Sequence, residues 1–220
     1  MDYSEIVEQF SARIDRLKYT DKDKSWDISK DITIGWRQIL SDPPENTSKR
    51  TLMELKYLQN LTSNISNADK NLIKIVDKEP LDLFNDTLRR NNLDFDRNDF
   101  KRVWNIGLPV IMNLKYQYNR ARPEQLAAFF GLQINVQKTS THQTPAYPSG
   151  HTAYTAFAAN LLSDMYPRFS GEFFHQVGIA GYARCLQGVH YPSDNQAAII
   201  ISGAIWEDIK YTLFPDLQPY

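Results

Sequence analysis

This chain predicts an all-α fold, a single helical domain with a C-terminal helical-bundle core. Three observations predict it. Apolar residues recur at three- and four-residue intervals almost throughout, alternating strand-like stretches are nearly absent, and the second half holds long helical segments bounded by capping residues. A chain of 220 residues can bury a sizeable core, and no repeat or low-complexity tract interrupts it. With no break in composition, one domain is expected over 1–220, with N-terminal helices in 1–97 and a core in 98–214.

The elements follow in order. Ile6, Phe10, Ile14 and Leu17 mark a first amphipathic helix. The stretch 22–44, with Trp26, Trp36 and Pro43-Pro44, reads as a long connection holding one helical piece near 32–40. Thr47 or Ser48 caps the next helix, whose stripe is Leu52, Leu55, Leu58 and Leu61. Shorter helices follow around 72–76 and 81–88. Four longer ones are expected at about 98–121, 150–166, 172–187 and 194–213. Only 132–136 alternates enough to be extended. Trp36, Trp104 and Trp206 read as core aromatics among apolar neighbours.

Composition narrows the function. Hydrophobic residues make up 42% and charged residues 23%, with a net charge of −1, which is globular and argues against a general nucleic-acid binder. Cys185, the one cysteine, excludes an intramolecular disulfide and reads as a buried small hydrophobe. The acidic N-terminus lacks signal-peptide regions, and the apolar run 197–206 is too short to span a bilayer. A soluble intracellular protein is therefore expected.

Three blocks carry the chemistry. Lys115 and Arg122 lie seven residues apart, two helical turns, so both face one side, and Pro123 should end the helix there. Taken alone, such a pair is usually just solvated. Pro148-Ser149-Gly150-His151 enters a helix rich in alanine, and the free N–H groups of a helix start, the Ser149 hydroxyl and Gly150 make an anion site. Alone, it is equally a helix cap with an incidental histidine. Arg184 precedes Gly188, a helix terminator, and the turn 190–194 can bring Asp194 onto His190, with Ser193 as N-cap of the last helix. Together the blocks supply three cations, two histidines and a carboxylate, an inventory suited to a tetrahedral oxyanion.

The pattern Lys-x6-Arg-Pro, Pro-Ser-Gly-His, Arg-x5-His-x3-Asp resembles the signature of the type 2 phosphatidic acid phosphatase superfamily, which includes acid phosphatases and vanadium-dependent haloperoxidases. The resemblance covers 115–194. It implies the helical-bundle core of that superfamily and a metal-independent phosphatase of phosphate monoesters. It also implies a role for each residue: His190 as nucleophile through a phosphohistidine, Asp194 orienting it, and His151 as acid and then base. Lys115, Arg122, Arg184, Ser149 and Gly150 would hold the phosphate oxygens. No cofactor or metal is expected, the partner is a small phosphate ester, and family analogy suggests a homodimer. Ala183 departs from the usual Ser before the arginine, removing one supporting hydroxyl.

Two rivals stand beside this reading. A haloperoxidase would hold vanadate at His190 in the same pocket, and His142, otherwise a solvated loop residue, keeps that open. A non-catalytic oxyanion binder with a degenerate site draws its support from Ala183. An integral-membrane phosphatase fails for want of transmembrane spans. His175 reads as a helix-surface residue.

Overall fold

The computed structural model describes residues 26–137, 139 and 141–217, and contains helices and no strand among them. The expected first helix, with Ile6, Phe10, Ile14 and Leu17, lies outside the described residues. Helix α1 spans Lys49–Ser63 and is capped by Ser48, whose hydroxyl accepts from Thr51 N at 3.1 Å. Helix α2 spans Asn67–Lys78 and opens on a reciprocal capping box between Ser66 and Asp69. A 3₁₀ turn over Pro80–Phe84 leads into α3, Asn85–Arg90. Near 32–40 the only helical piece is the 3₁₀ turn Trp36–Gln38, shorter than expected.

Helix α4, Arg97–Tyr118, starts on Asp96 and stops at Asn119, which takes the left-handed conformation (φ 47°) and turns the chain out of the helix. The expected end at 121 is therefore three residues too late. Arg122 lies beyond the helix in the extended conformation that Pro123 demands, and begins the short α5, Pro123–Ala127. The segment 132–136 is irregular rather than extended in a sheet: Asn135 N donates to Thr62 Oγ1 at 3.1 Å, and Gln137 N donates to Gln187 O.

The core is built from α6 (Gly150–Met165), α7 (Ser170–Leu186) and α8 (Pro192–Leu213), with α4 laid against α6 and α8. Small residues let these helices approach closely. A Cβ at Gly107 of α4 would meet the Phe157 ring at 2.5 Å, so only glycine lets that ring of α6 nest there. Gly188, at φ 77°, ends α7 as expected. The final helix begins at Pro192, not 194, and Tyr191 rather than Ser193 is its N-cap. Proline suits the first helical position, where no N–H is required. The connection before α1 is tied to α8 by Asp208, which accepts from Thr33 N and Ile34 N at 2.6 and 3.0 Å.

Trp36 and Trp206 are buried as expected, and Cys185 is buried with its thiol pushed up to about 12, chiefly by burial. Trp104 differs. It is half-buried: it packs against the core, with its ring 6.1 Å from that of Phe157, and its other side forms a cleft wall. No helix among the described residues is long and apolar enough to cross a membrane.

Candidate active site

The first turns of α6 and α8 meet end to end. Ser149 N donates to the Asp194 carbonyl at 3.0 Å, which brings the second and third sequence blocks together through main-chain atoms. Asp194 is the third residue of α8 and is fully buried. Its Oδ2 accepts from Tyr191 N at 2.9 Å and stands 3.1 Å from His190 Nδ1. On the far side of the ring, Arg122 Nη1 lies 3.0 Å from His190 Nε2. A guanidinium can only donate, so Nε2 is the acceptor. His190 is thereby fixed as the neutral tautomer, with Nδ1–H given to Asp194 and an unprotonated Nε2.

Electrostatics favour the same state. Burial, then Arg122, Lys115 and Arg184, hold His190 well below the ordinary histidine range. Arg122 is kept in place by carbonyls: Nε donates to Thr144 O at 2.8 Å and Nη1 to Val189 O at 2.7 Å. Lys115, 3% exposed, donates from Nζ to Pro145 O at 2.7 Å. Burial and then Arg122 lower its affinity for the proton.

Lys115, Gly150 and His151 line one cleft of about 360 Å³, with Asp77, Thr141 and Thr144 on the same surface. A Cβ at Gly150 would stand 3.9 Å from Lys115 Cε, an ordinary van der Waals distance, so the helix start and the lysine side chain lie close together in the cleft. His151 Nε2 faces the Asp77 carbonyl at 3.4 Å; burial, then Arg184, push it down to about 3. Arg184, 1% exposed, donates to Asp77 Oδ1 at 2.8 Å, to Gln187 Oε1, and to Thr141 Oγ1 at 3.4 Å. Burial brings its guanidinium down to about 10 against the pull of Asp77. Burial raises the Asp77 carboxyl, but bonds from Thr139 and Arg184 outweigh it and hold the group below its usual value.

Ser149 is buried, with its hydroxyl 3.0 Å from Thr152 Oγ1, and Thr152 in turn donates to Asn195 Oδ1 at 2.8 Å. Ala183 is fully buried beside Val76 and Ala180. A serine hydroxyl there would enter an apolar contact between α2 and α7. His142 bonds through Nδ1 to Thr139 O at 2.8 Å and lies 3.4 Å from Glu124, so it is a partnered loop residue. His175 is exposed.

Three residues that the sequence did not single out complete the arrangement. Arg120 is 2% exposed, donates to Asp194 Oδ1 at 2.5 Å and to Glu54 Oε2 at 3.0 Å, and stacks 3.9 Å over the Tyr191 ring. Glu54 of α1 accepts from Ser193 N and Ser193 Oγ, each at 2.8 Å. Asp77 of α2 is the partner of Arg184. A visible signal existed for Arg120: it stands two positions before Arg122, in a segment that must leave the helix. Glu54 and Asp77 had none, because a tertiary ion pair leaves no local spacing.

Among the described residues, no three His, Cys, Asp or Glu side chains are grouped as a metal site. Lys78 and Lys115 line the cleft, while Arg122 and Arg184 lie behind its Thr144, Asp77 and Thr141 surface. Comparison with known proteins adds two findings. The family model described as PAP2 superfamily matches residues 103–213. A non-specific acid phosphatase from Providencia stuartii is 33% identical over 94 residues, 41% of this chain. The chain spans 37% of the length of that protein.

Proposed function

The chain belongs to the PAP2 superfamily, and from that premise we propose that it is a metal-independent phosphatase of phosphate monoesters acting through a phosphohistidine. The observation that carries this reading is the His190 ring, bonded through Nδ1 to Asp194 and presenting an unprotonated Nε2 beside Arg122. A binder of oxyanions has no use for a nucleophile held in one tautomer. Similarity to an acid phosphatase supports monoesters as the substrate class.

In the proposed reaction Nε2 of His190 attacks phosphorus in line. The P–N bond forms, the ester P–O bond breaks, and the departing oxygen takes a proton from His151. Asp194 holds the positive charge that develops on His190. Lys115, Arg122, Arg184 and the Gly150 amide receive the equatorial oxygens, where charge resides in the transition state, and Ser149 supports that turn. His151 then takes a proton from water, which attacks phosphorus and breaks the P–N bond. A phosphate dianion beside His151 favours its protonated form, opposing the burial and the Arg184 charge that hold it near 3. We also infer one domain, supported by Glu54 and Asp77, which reach from the N-terminal half to Arg120 and Arg184.

The test is a paired assay on one EDTA-treated preparation. Release of nitrophenol from p-nitrophenyl phosphate, inhibited by vanadate, is the expected result. Peroxide-dependent bromide oxidation with vanadate and no ester hydrolysis would overturn it in favour of a haloperoxidase. Silence in both would leave an oxyanion binder.

His151→Ala separates acid catalysis from binding. It is expected to slow alkyl phosphates, whose leaving oxygen needs a proton, by about 10²–10⁴-fold. The loss on p-nitrophenyl phosphate should be much smaller, because nitrophenolate departs unprotonated. Equal losses on both substrates would remove His151 from the role of acid.

A further inference from the structure

A second cavity, of about 230 Å³, adjoins the cleft and shares Asp77 and Lys78 with its lining. Its other polar walls are Lys70 and Lys74 of α2 together with Gln137 and Gln187. Lys70, Lys74 and Lys78 recur every fourth residue, so one face of α2 presents three ammonium groups to this cavity. From Lys70 to Lys78 the helix rises about 12 Å, which is longer than one phosphoryl group and suits an anion whose charges are spread along it.

The positive charge here is not spent within the protein. Among the described residues, the nearby carboxylates are engaged elsewhere: Asp77 accepts from Arg184 Nη1 at 2.8 Å and from Thr139 Oγ1 at 2.6 Å, and Asp69 accepts from Ser66. Gln187 is 1% exposed and fixed on two sides. Its Oε1 accepts from Arg184 Nη1, and its main-chain carbonyl accepts from Gln137 N at 3.0 Å. Its Nε2 is buried and has no partner in the protein. A buried donor without an acceptor is costly, and this one belongs to a residue lining a cavity rimmed by three cations. A metal ion there would be repelled by the lysines, and an apolar group would leave the amide unpaired. An anion with acceptor oxygens meets both demands.

We propose that this cavity is a second, non-catalytic anion site, which binds a small anion carrying two or more phosphoryl groups through Lys70, Lys74, Lys78 and the Gln187 amide. Neither His151 nor His190 lines it, so nothing is cleaved there, and the site stands independently of the phosphatase reading. It adjoins the reaction all the same: the amide that takes the anion through its nitrogen is bonded through its oxygen to Arg184.

Methylenediphosphonate, whose P–C bonds resist hydrolysis, is the probe, titrated into the full ¹⁵N-labelled chain and followed by NMR. The side-chain N–H₂ signals of Gln187 should move to saturation, with affinity that falls as salt is added. Methylphosphonate, with one phosphoryl group, should bind there more weakly. Lys70→Gln combined with Lys74→Gln should weaken the diphosphonate by about tenfold or more. Both lysines are exposed, so the fold should tolerate the exchange. Lys49→Gln combined with Lys101→Gln, an equal loss of charge at exposed positions elsewhere, should leave the affinity as it was. Gln187 signals that stay in place would overturn the site. Unchanged affinity in the Lys70 and Lys74 variant would place the anion in the cleft alone. Tighter binding of citrate than of the diphosphonate would overturn the phosphate class, and a DNA duplex that moves the Gln187 signals where the diphosphonate does not would make the surface one for nucleic acid. Turnover of nitrophenyl phosphate decides the phosphatase reading separately, whichever way these titrations fall.

Discussion

Replacing His190 by alanine is expected to lower phosphate-ester hydrolysis by about 10⁴-fold or more, since removal of a nucleophile leaves only binding and electrostatic contributions. The fold should survive. Asp194 keeps its bonds from Tyr191 N and Arg120, and Arg122 keeps those to Thr144 O and Val189 O. Turnover by the purified variant, alongside its circular dichroism, is the measurement; near-native turnover would remove His190 from the reaction. The native protein carries a matching pH signature. Since burial and Arg122 lower the folded pKa of His190, the reactive neutral ring persists below the ordinary value of about 6.5 as pH falls. After allowance for ionisation of the ester near about pH 6, kcat/KM should show no acidic limb at the ordinary histidine value.

The second large effect is on stability. Arg120→Ala would strand two carboxylates, Asp194 at full burial and Glu54 nearly so, without the guanidinium that bridges them. Removing one member of a buried ionic network costs about 3–5 kcal/mol, and urea unfolding should show a loss of that order. Glu54→Gln in the Arg120→Ala background should recover part of it, because one stranded charge is removed. A loss under about 1 kcal/mol, typical of a surface pair, would mean that the network is not coupled to folding. Activity should fall too. Burial already raises Asp194, and Arg120 is the chief opposing influence. Without it, more Asp194 would be protonated at acidic pH and unable to stabilise a charged His190.

How much of this was legible in the sequence depended on whether the signal was local. Helix starts were legible where a side chain caps the backbone, as at Ser48, and α7 was legible at its end because Gly188 sits at positive φ. Helix α4 was expected to run on to 121, because Pro123 was the visible breaker and Asn119, which turns the chain out, looks like any polar residue. The three blocks were readable because each keeps its groups in one short stretch of chain, 115–123, 148–151 and 184–194. Arg120, Glu54 and Asp77 were not, since their partners lie on other elements. Trp104 shows a different limit. A helix face that lines a cleft has the same apolar period as one that faces a core, and only the missing opposite side distinguishes them. Ala183 looked like damage to a site, and became intelligible once Val76 was seen beside it.

The bond from Ser149 N to the Asp194 carbonyl has a consequence for how this protein can evolve. It joins main-chain groups, so no exchange other than proline at 149 deletes it, and the two histidine-bearing turns stay in register in any descendant that keeps α6 and α8 paired. The α4 face carrying Trp104, Leu108 and Met112 belongs to another helix, seated on α6 where Phe157 meets Gly107. Substitutions along that face can accumulate while the distance between His151 and His190 is inherited unchanged. The two histidines of the proposed reaction and the α4 wall of the cleft are thus carried on different elements and can vary independently.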